Sequence, residues 1–149
     1  MADGYWTNTP AWYAAGFTTV GWSNGPGILA LEPDAAVIAI APAPFLTRLT
    51  QPTHTIYFRT TATYTGPTVN VGLVADHFID DGLLCYLNGA ELFRFKLPGF
   101  VVITHTNTAF GGVEAVNAAT NLGCIVLGAN NLVACSLHTI AIPSSDAVF

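Results

Sequence analysis

Three aspartates near the middle of the chain could supply oxygen ligands to a cation. Asp76, Asp80 and Asp81 lie in the segment VADHFIDDG, where backbone carbonyls are also available, and Ca²⁺ prefers carboxylate and carbonyl oxygens. Their spacing differs from that of an EF-hand loop, and it favours a more ordinary explanation, in which Asp81 closes a turn through its side chain. The arginines of two apolar strands, Arg59 and Arg94, would then pair with the other two aspartates, because a buried guanidinium needs a counter-charge.

Aromatic side chains crowd the first part of the chain and could stack on a sugar. A flat aromatic face suits the apolar face of a pyranose ring when polar groups lie beside it. The candidates for stacking on a glycan are Trp6, Trp12, Tyr13 and Trp22.

The sequence offers little that could catalyse a reaction. Its four histidines are scattered without HxH or HExxH spacing, and it has neither a G-x-S-x-G elbow nor a phosphate-binding loop. Asp80 and Asp81 are adjacent on a turn and should point apart, which does not suit glycoside hydrolysis. We therefore expect a protein that is not an enzyme and needs no cofactor.

The three cysteines are predicted to be reduced. Cys85, Cys124 and Cys135 each lie in an apolar, strand-like run, and no CxxC spacing is present. An odd number cannot pair completely within one chain, and a buried thiol serves as a small apolar side chain.

Charge is scarce in this chain. Only 9% of the residues are charged, against roughly 25% in an average soluble domain, so we expect neighbouring subunits to cover much of the surface. A net charge of -5 with four basic residues argues against a nucleic-acid partner, which needs clustered Lys and Arg.

The sequence shows no sign of membrane insertion or secretion. The apolar stretches are short, which argues against membrane insertion. MADGYWTNTP lacks the features of a secretory signal, which indicates synthesis in a cytoplasm.

The apolar pattern predicts strands almost throughout. From residue 55 onward it has a period of two, and TIYFRTTATY and VNVGLVAD are expected to pair with each other. Asn88-Gly89 predicts a hairpin between LLCYL and AELFRFK. Further strands are expected at VVITHT, LGCIVL and NLVACSLHTI, NTAFGGVEAVNAAT is interpreted as a loop, and AAVIAIA at 35–41 as a strand or an assembly surface. Seven to nine strands without a helix in 149 residues predict one all-β domain, either a sandwich or a barrel.

Four motifs in order resemble those of the galactose-binding-like jelly-roll modules of bacterial secreted multidomain proteins and phage structural proteins. WYAAGFTTVGWSNGPGIL, from Trp12 to Leu29, resembles the pattern W-x-x-x-G-F-x-x-x-x-W-x-x-G-P-G-x-L. YFRTT resembles Y-F-R-x-T-F, and DDGLLCYLNGAELFRFKLP resembles D-D-G-x-x-x-Y-L-N-G-x-E-x-x-R-x-x-x-P. GANNLVACSLH is similar to G-x-N-x-L-A-V-x-x-H.

The resemblance implies an antiparallel β-sandwich of the jelly-roll type over residues 12–149, preceded by an N-terminal arm at 1–11. It places Trp12 and Trp22 in the core and leaves Tyr5 and Trp6 outside, where they can meet a partner. With the low charge, it implies a virion structural protein that assembles with itself or with other virion proteins, such as a phage capsid decoration subunit or a small tail or fibre component. The assembly residues expected are Tyr5, Trp6, Val37, Ile38, Ile40 and Phe45. The alternative is a carbohydrate-binding module that recognises a cell-surface glycan.

Overall fold

Short strands separated by Gly- and Pro-containing turns make up most of the chain. The computed structural model describes residues 11–49, 54–112, 114–141, 144 and 146–149. In these residues the elements are β1 (Leu29–Leu31), α1 (Ala35–Ile40), β2 (Thr47–Arg48), β3 (Thr55–Thr63), β4 (Val71–Ile79), β5 (Gly82–Leu87), β6 (Ala90–Phe95), β7 (Val116–Ile125), β8 (Asn130–His138) and β9 (Ala147–Val148).

The strands form three small sheets that pack together as a β-sandwich. The central sheet has the order β3-β8-β5-β6, the second pairs β4 with β7, and the third has the order β2-β1-β9. All of these pairs are antiparallel except β1 with β2. The predicted all-β, antiparallel sandwich is confirmed, whereas the jelly-roll order of connections stays a prediction.

The middle strands of the central sheet, β5 and β8, are buried on both faces over most of their length. Alternate residues of its strands point to one side, where they join Ile79 and Ala147 in the main core; from the sheet these are Ile56, Phe58, Leu83, Cys85, Phe93, Phe95, Val133, Cys135 and Leu137. On the other side Leu84 packs with Leu97 and Ile103. Because both faces are covered, β5 and β8 are nearly continuous apolar runs in the sequence.

The segment that begins at residue 11 covers part of the second face. Trp12 is entirely buried, and its ring lies 4.8 Å from that of Tyr57 and 5.6 Å from that of Tyr86, between centroids. The Arg59 guanidinium donates hydrogen bonds to the carbonyl oxygens of Trp12 and Ala14. These contacts fix the start of the domain on the central sheet, as expected for a core position of Trp12.

The predicted hairpin is confirmed. Asn88 and Gly89 form the two-residue connection between β5 and β6, with Leu87 opposite Ala90. Their φ angles are +52° and +88°, which is the left-handed conformation that this tight turn requires at both positions.

The prediction for residues 35–41 as a strand, and the expectation of no helix, are wrong. Residues Ala35–Ile40 form α1, because the Asp34 carboxylate caps it by accepting a hydrogen bond from the Ala36 N–H at 2.7 Å. Alanine is the best helix former, and an aspartate at the N-cap satisfies a backbone donor.

The predicted strand VVITHT is also absent from the described structure. Residues 101–106 form turns and irregular backbone. Asn107 competes with strand pairing because its side-chain Oδ1 accepts hydrogen bonds from both the backbone N–H and the hydroxyl of Thr104.

The predicted pairing of β3 with β4 is wrong as well. Strand β3 pairs with β8 over its whole length, and β4 pairs with β7, since residues 64–70 carry the chain from one sheet to the other. Strand β7 begins at Val116, so the last part of NTAFGGVEAVNAAT is a strand and not the loop that was expected.

The prediction of three reduced cysteines is wrong. Cys85 of β5 lies opposite Cys135 of β8, with the Cα atoms 4.3 Å apart, and the two form a disulfide. That separation is typical of the closely spaced residue pairs in an antiparallel ladder, of about 4.5 Å. Sequence spacing cannot reveal such a pair until the strand register is known. Cys124 is a free thiol and is exposed.

Candidate functional site

An acidic cluster lies where the ends of several strands meet. Glu32 follows β1, Glu114 precedes β7 and Asp146 precedes β9. One carboxylate oxygen from each lies within 4.8 Å of the others. With Asp80, at the end of β4, four of the nine acidic residues of the chain are gathered in this region.

The neighbouring acidic groups act on Asp80 and Glu32. Burial, together with the charges of Asp81, Asp146, Glu114 and Glu32, raises the pKa of Asp80 to about 8. Burial and the neighbouring acids also raise the pKa of Glu32, although the hydrogen bond that its Oε1 accepts from the Asp34 N–H at 2.6 Å acts in the opposite direction. Burial and the nearby acidic residues therefore destabilise the charged forms of Asp80 and Glu32.

Two oxygens in this region have no hydrogen-bond partner within the described protein. They are Asp80 Oδ2 and Glu32 Oε2, and both atoms are buried. Asp80 itself is only 4% exposed. A buried acceptor without a partner is costly, and such groups are rare in proteins.

The structure does not gather the predicted cation ligands. Asp76 is exposed on β4, four residues before Asp80, which is about 13 Å along a strand. The Asp81 Oδ2 accepts a hydrogen bond from the Ile140 N–H at 2.8 Å. This bond joins two distant segments, whereas the expected bond would close a local turn. Only Asp80 of the predicted set lies beside the acidic cluster.

The expected pairing of the arginines with aspartates is not found. Arg94 forms its ion pair with Glu91, at 2.6 Å between Nη2 and Oε2, and Arg59 donates to backbone carbonyls. Arg94 lies three positions after Glu91 on β6. A regular strand would place the two side chains on opposite faces, but the β-bulge where β6 pairs with β5 lets them meet. Carbonyl oxygens can satisfy a half-buried guanidinium without a counter-charge.

The predicted assembly residues are divided by the fold. Val37 lies on the buried face of α1, in one core cluster with Phe78 and Val148. It is not available to a partner, so its prediction as an assembly residue is wrong. Ile38 and Ile40 are exposed on the same helix. Phe45 is half-buried, and Tyr5 and Trp6 lie outside the described residues.

A loop that sequence reasoning did not select exposes more apolar surface. Phe100 is fully exposed, Val102 is 82% exposed and Val101 about half. The base of this loop is fixed by Arg94, whose guanidinium donates hydrogen bonds to the carbonyl oxygens of Pro98 and Val101. The segment PGFVV carries a sequence signal for such a loop, because three large apolar residues follow Pro-Gly. The apolar pattern instead predicts a strand from Val101 onward.

The candidate stacking residues occupy different environments. Trp12 has no exposed surface, so it presents no face to a sugar. Tyr13 stacks on Tyr86 with 4.0 Å between ring centroids. Trp22 is half-buried and packs edge-on against Phe17 at 5.9 Å; Trp6 lies in the part of the chain that is not described.

One hydroxyl and one imidazole meet inside the central sheet. The Ser136 hydroxyl lies 2.9 Å from His138 Nε2, and His138 Nδ1 lies 2.9 Å from the Asn107 carbonyl oxygen. Burial lowers the pKa of His138 to about 4, so the ring is neutral, donates from Nδ1 to the carbonyl and accepts from Ser136. Both side chains are entirely buried, and a substrate cannot reach the hydroxyl in this conformation.

A cleft of about 830 Å³ opens between the β4-β7 sheet and the central sheet. Its lining is mainly apolar, including Leu83, Phe93, Val133 and Phe149, with His77 among the few polar groups. Burial lowers the pKa of His77, whose ring lies 5.2 Å from that of Phe95. The cleft offers apolar surface but few polar groups that could orient a hydroxyl-rich ligand.

Comparisons with family models, with curated proteins and with solved structures find no significant match. Among the helical residues of the described chain, no segment is long and apolar enough to cross a membrane.

Proposed function

We propose that this protein is a non-enzymatic structural subunit that works by assembling with other proteins. The observation that carries the proposal is the loop 99–102, which holds a fully exposed Phe100 and a largely exposed Val102 above a base fixed by Arg94. Large apolar side chains displayed together mark sites of protein contact more often than single ones do.

The conformation of the loop supports this role. Phe100 has a φ of +60°, which is rare for a bulky residue. This conformation costs free energy, so it persists only where the surrounding structure holds it. A loop already held in one conformation loses little entropy when a partner binds. The loop therefore has the features of a preorganised contact.

The remaining surface agrees with a covered protein. Large exposed apolar residues also occur elsewhere, although only 9% of the residues are charged; they include Val20, Leu46, Val69, Val74, Phe110 and Val126. In a virion or another assembly, neighbouring subunits would bury such residues.

The more specific proposal of a virion component, such as a capsid decoration subunit or a small tail or fibre protein, rests on the resemblance to phage structural modules. The cysteines do not favour this proposal over a secreted module, because Cys85 and Cys135 form a disulfide, and disulfides persist both on virion surfaces and in secreted proteins. The partners would be other virion proteins or further copies of the chain.

Glycan binding is the second candidate, and Trp22 is the residue that favours it. Its half-buried ring lies beside Phe17 in a segment whose neighbours Thr19, Ser23 and Asn24 are exposed. An aromatic face beside polar groups is the arrangement that a sugar ring requires.

Sedimentation velocity over a range of concentrations tests assembly. We expect the full chain to associate, and the double variant Phe100→Ser, Val102→Ser to weaken association at least tenfold, since burying a side chain of this size contributes about 1.5–3 kcal/mol. Val20→Ser is the matched control, because Val20 is 89% exposed but lies in another segment. A full chain that stays monomeric at every concentration and binds no particle would overturn the proposal and favour glycan binding.

A further inference from the structure

We propose that Glu32, Glu114 and Asp146 bind a divalent cation, that Ca²⁺ is the ion their chemistry fits, and that the buried carboxyl of Asp80 lies at the edge of this site. The site is independent of the proposed assembly surface, since none of its residues lies in the loop 99–102.

The first observation is the convergence of the three carboxylates. They come from segments far apart in the sequence, yet one oxygen from each lies within 4.8 Å of the other two. Ligands of one Ca²⁺ ion, each bound at about 2.4 Å, lie at most about 4.8 Å from one another. The spacing therefore matches a single coordination sphere.

The second observation is independent of that spacing. Asp80 is 96% buried, since its exposed fraction is 4%, and its Oδ2 has no hydrogen-bond partner within the described protein. Asp80 lies beside the cluster because its backbone N–H donates to the Val148 carbonyl, two residues after Asp146. The buried Glu32 Oε2 likewise has no partner. A cation held by the cluster would satisfy the Glu32 oxygen and offset the negative charge beside Asp80.

The charges around these two groups point the same way. Every charge that acts on Asp80 or Glu32 comes from another acidic residue. Like charges held this close repel strongly when they are partly buried. A bound divalent cation would turn that repulsion into attraction.

The ligand type selects the ion. All four side chains offer carboxylate oxygens, which suit Ca²⁺ and Mg²⁺, whereas Zn²⁺ is usually held by His and Cys. Mg²⁺ demands near-ideal octahedral geometry, whereas Ca²⁺ accepts about six to eight oxygens in a flexible arrangement. Three carboxylates that come from separate segments fit the more tolerant Ca²⁺.

Such an ion would act as a structural clamp. Glu32 and Asp146 adjoin the paired strands β1 and β9, Glu114 lies two residues before β7, and Asp80 ends β4. The ion would therefore join the third sheet to the β4-β7 sheet.

Thermal unfolding of the full chain tests the site. After treatment with EDTA, added CaCl₂ should raise the melting temperature by several degrees in a saturable way, and Tb³⁺ should bind with sensitised luminescence that excess Ca²⁺ suppresses. The double variant Glu32→Gln, Asp146→Asn should show neither response. It should nevertheless melt above the wild type in EDTA, because it lacks the repulsion, and this result separates lost binding from misfolding.

Asp76→Asn is the matched control, because it removes an exposed carboxylate outside the cluster; this variant should respond to Ca²⁺ as the wild type does. The proposal fails if the melting temperature of the wild type is unchanged at Ca²⁺ concentrations up to about 10 mM, which exceeds the dissociation constants of weak extracellular sites. A response to Mg²⁺ at or below the concentration required for Ca²⁺ would overturn the assignment of the ion.

Discussion

Cys85 and Cys135 face each other across β5 and β8 and join the two central strands of the largest sheet through a disulfide. Both residues are buried in the main core, 5% and 2% exposed. The bond closes a loop of 50 residues that includes β6 and β7, so it links strands that are neighbours in space but distant in the sequence.

Thiol titration checks this pairing. The unfolded, unreduced protein should react at one group, Cys124, and at three groups after reduction. By the chain-entropy relation a loop of this length contributes about 4 kcal/mol, so the variant Cys85→Ala, Cys135→Ala should unfold at lower urea concentration. Cys124→Ala is the control and should leave the urea midpoint nearly unchanged, since Cys124 is exposed. Three reactive groups before reduction would contradict the disulfide.

The hairpin turn gives a second prediction. Gly89→Val should lower the free energy of unfolding by about 1–3 kcal/mol, because a β-branched residue is strained at positive φ. A Cβ at Gly89 would meet no atom within 4 Å, so the cost is conformational and not a clash. Gly72 in β4 is equally open but has an ordinary strand φ, and Gly72→Val should therefore be tolerated. Equal losses in the two variants would show that φ is not the cause.

Local signals account for the parts of the fold that the sequence predicts well. Period-two alternation identifies β3 and β4, an apolar run after the turn GANN identifies β8, and Asn88-Gly89 identifies the hairpin, because each signal depends only on nearby residues. Strand partners depend on the whole chain, and so the pairing of β3 with β8 could not be deduced. Helix α1 was missed because AAVIAI is apolar throughout, and periodicity cannot separate a short buried helix from a strand in such a run.

The acidic cluster shows the same limit at the level of a site. Asp80 was a candidate ligand because two other aspartates are near it in the sequence, but its neighbours in space are Glu32, Glu114 and Asp146. These lie in three separate segments, each next to a different strand. Their convergence is a property of the sheet order, which spacing along the chain does not contain.

His138 gives a pH-dependent prediction. Its pKa falls from 6.5 to about 4 on folding, so between these values the unfolded chain binds a proton that the folded chain does not. The contribution of His138 to stability is complete above pH 6.5 and is lost as the pH falls towards 4, by about 3 kcal/mol in all at 1.36 kcal/mol for each pKa unit.

Urea unfolding of the wild type and of His138→Gln, measured from pH 7 to pH 4, isolates this effect. The free-energy difference between the two proteins should shrink as the pH falls, because the variant lacks the titrating ring. Groups whose folded pKa is raised, such as Asp80, act in the opposite direction but are common to both proteins and cancel. A difference that stays constant over this range would mean that His138 is not held neutral.

The tryptophans provide the last prediction, since they separate a structural role from a binding role. Trp12 is entirely buried, and its ring packs on Tyr57 and Tyr86, so Trp12→Ala should lower the free energy of unfolding by about 3–5 kcal/mol. Trp22 is only half-buried, and Trp22→Ala should cost about 1 kcal/mol. If the protein binds a glycan, Trp22→Ala should abolish retention on a glycan array while the domain remains folded by circular dichroism. A Trp22→Ala protein that retains full glycan binding would exclude Trp22 as the stacking residue, and a Trp12→Ala protein as stable as the wild type would contradict the core position of Trp12.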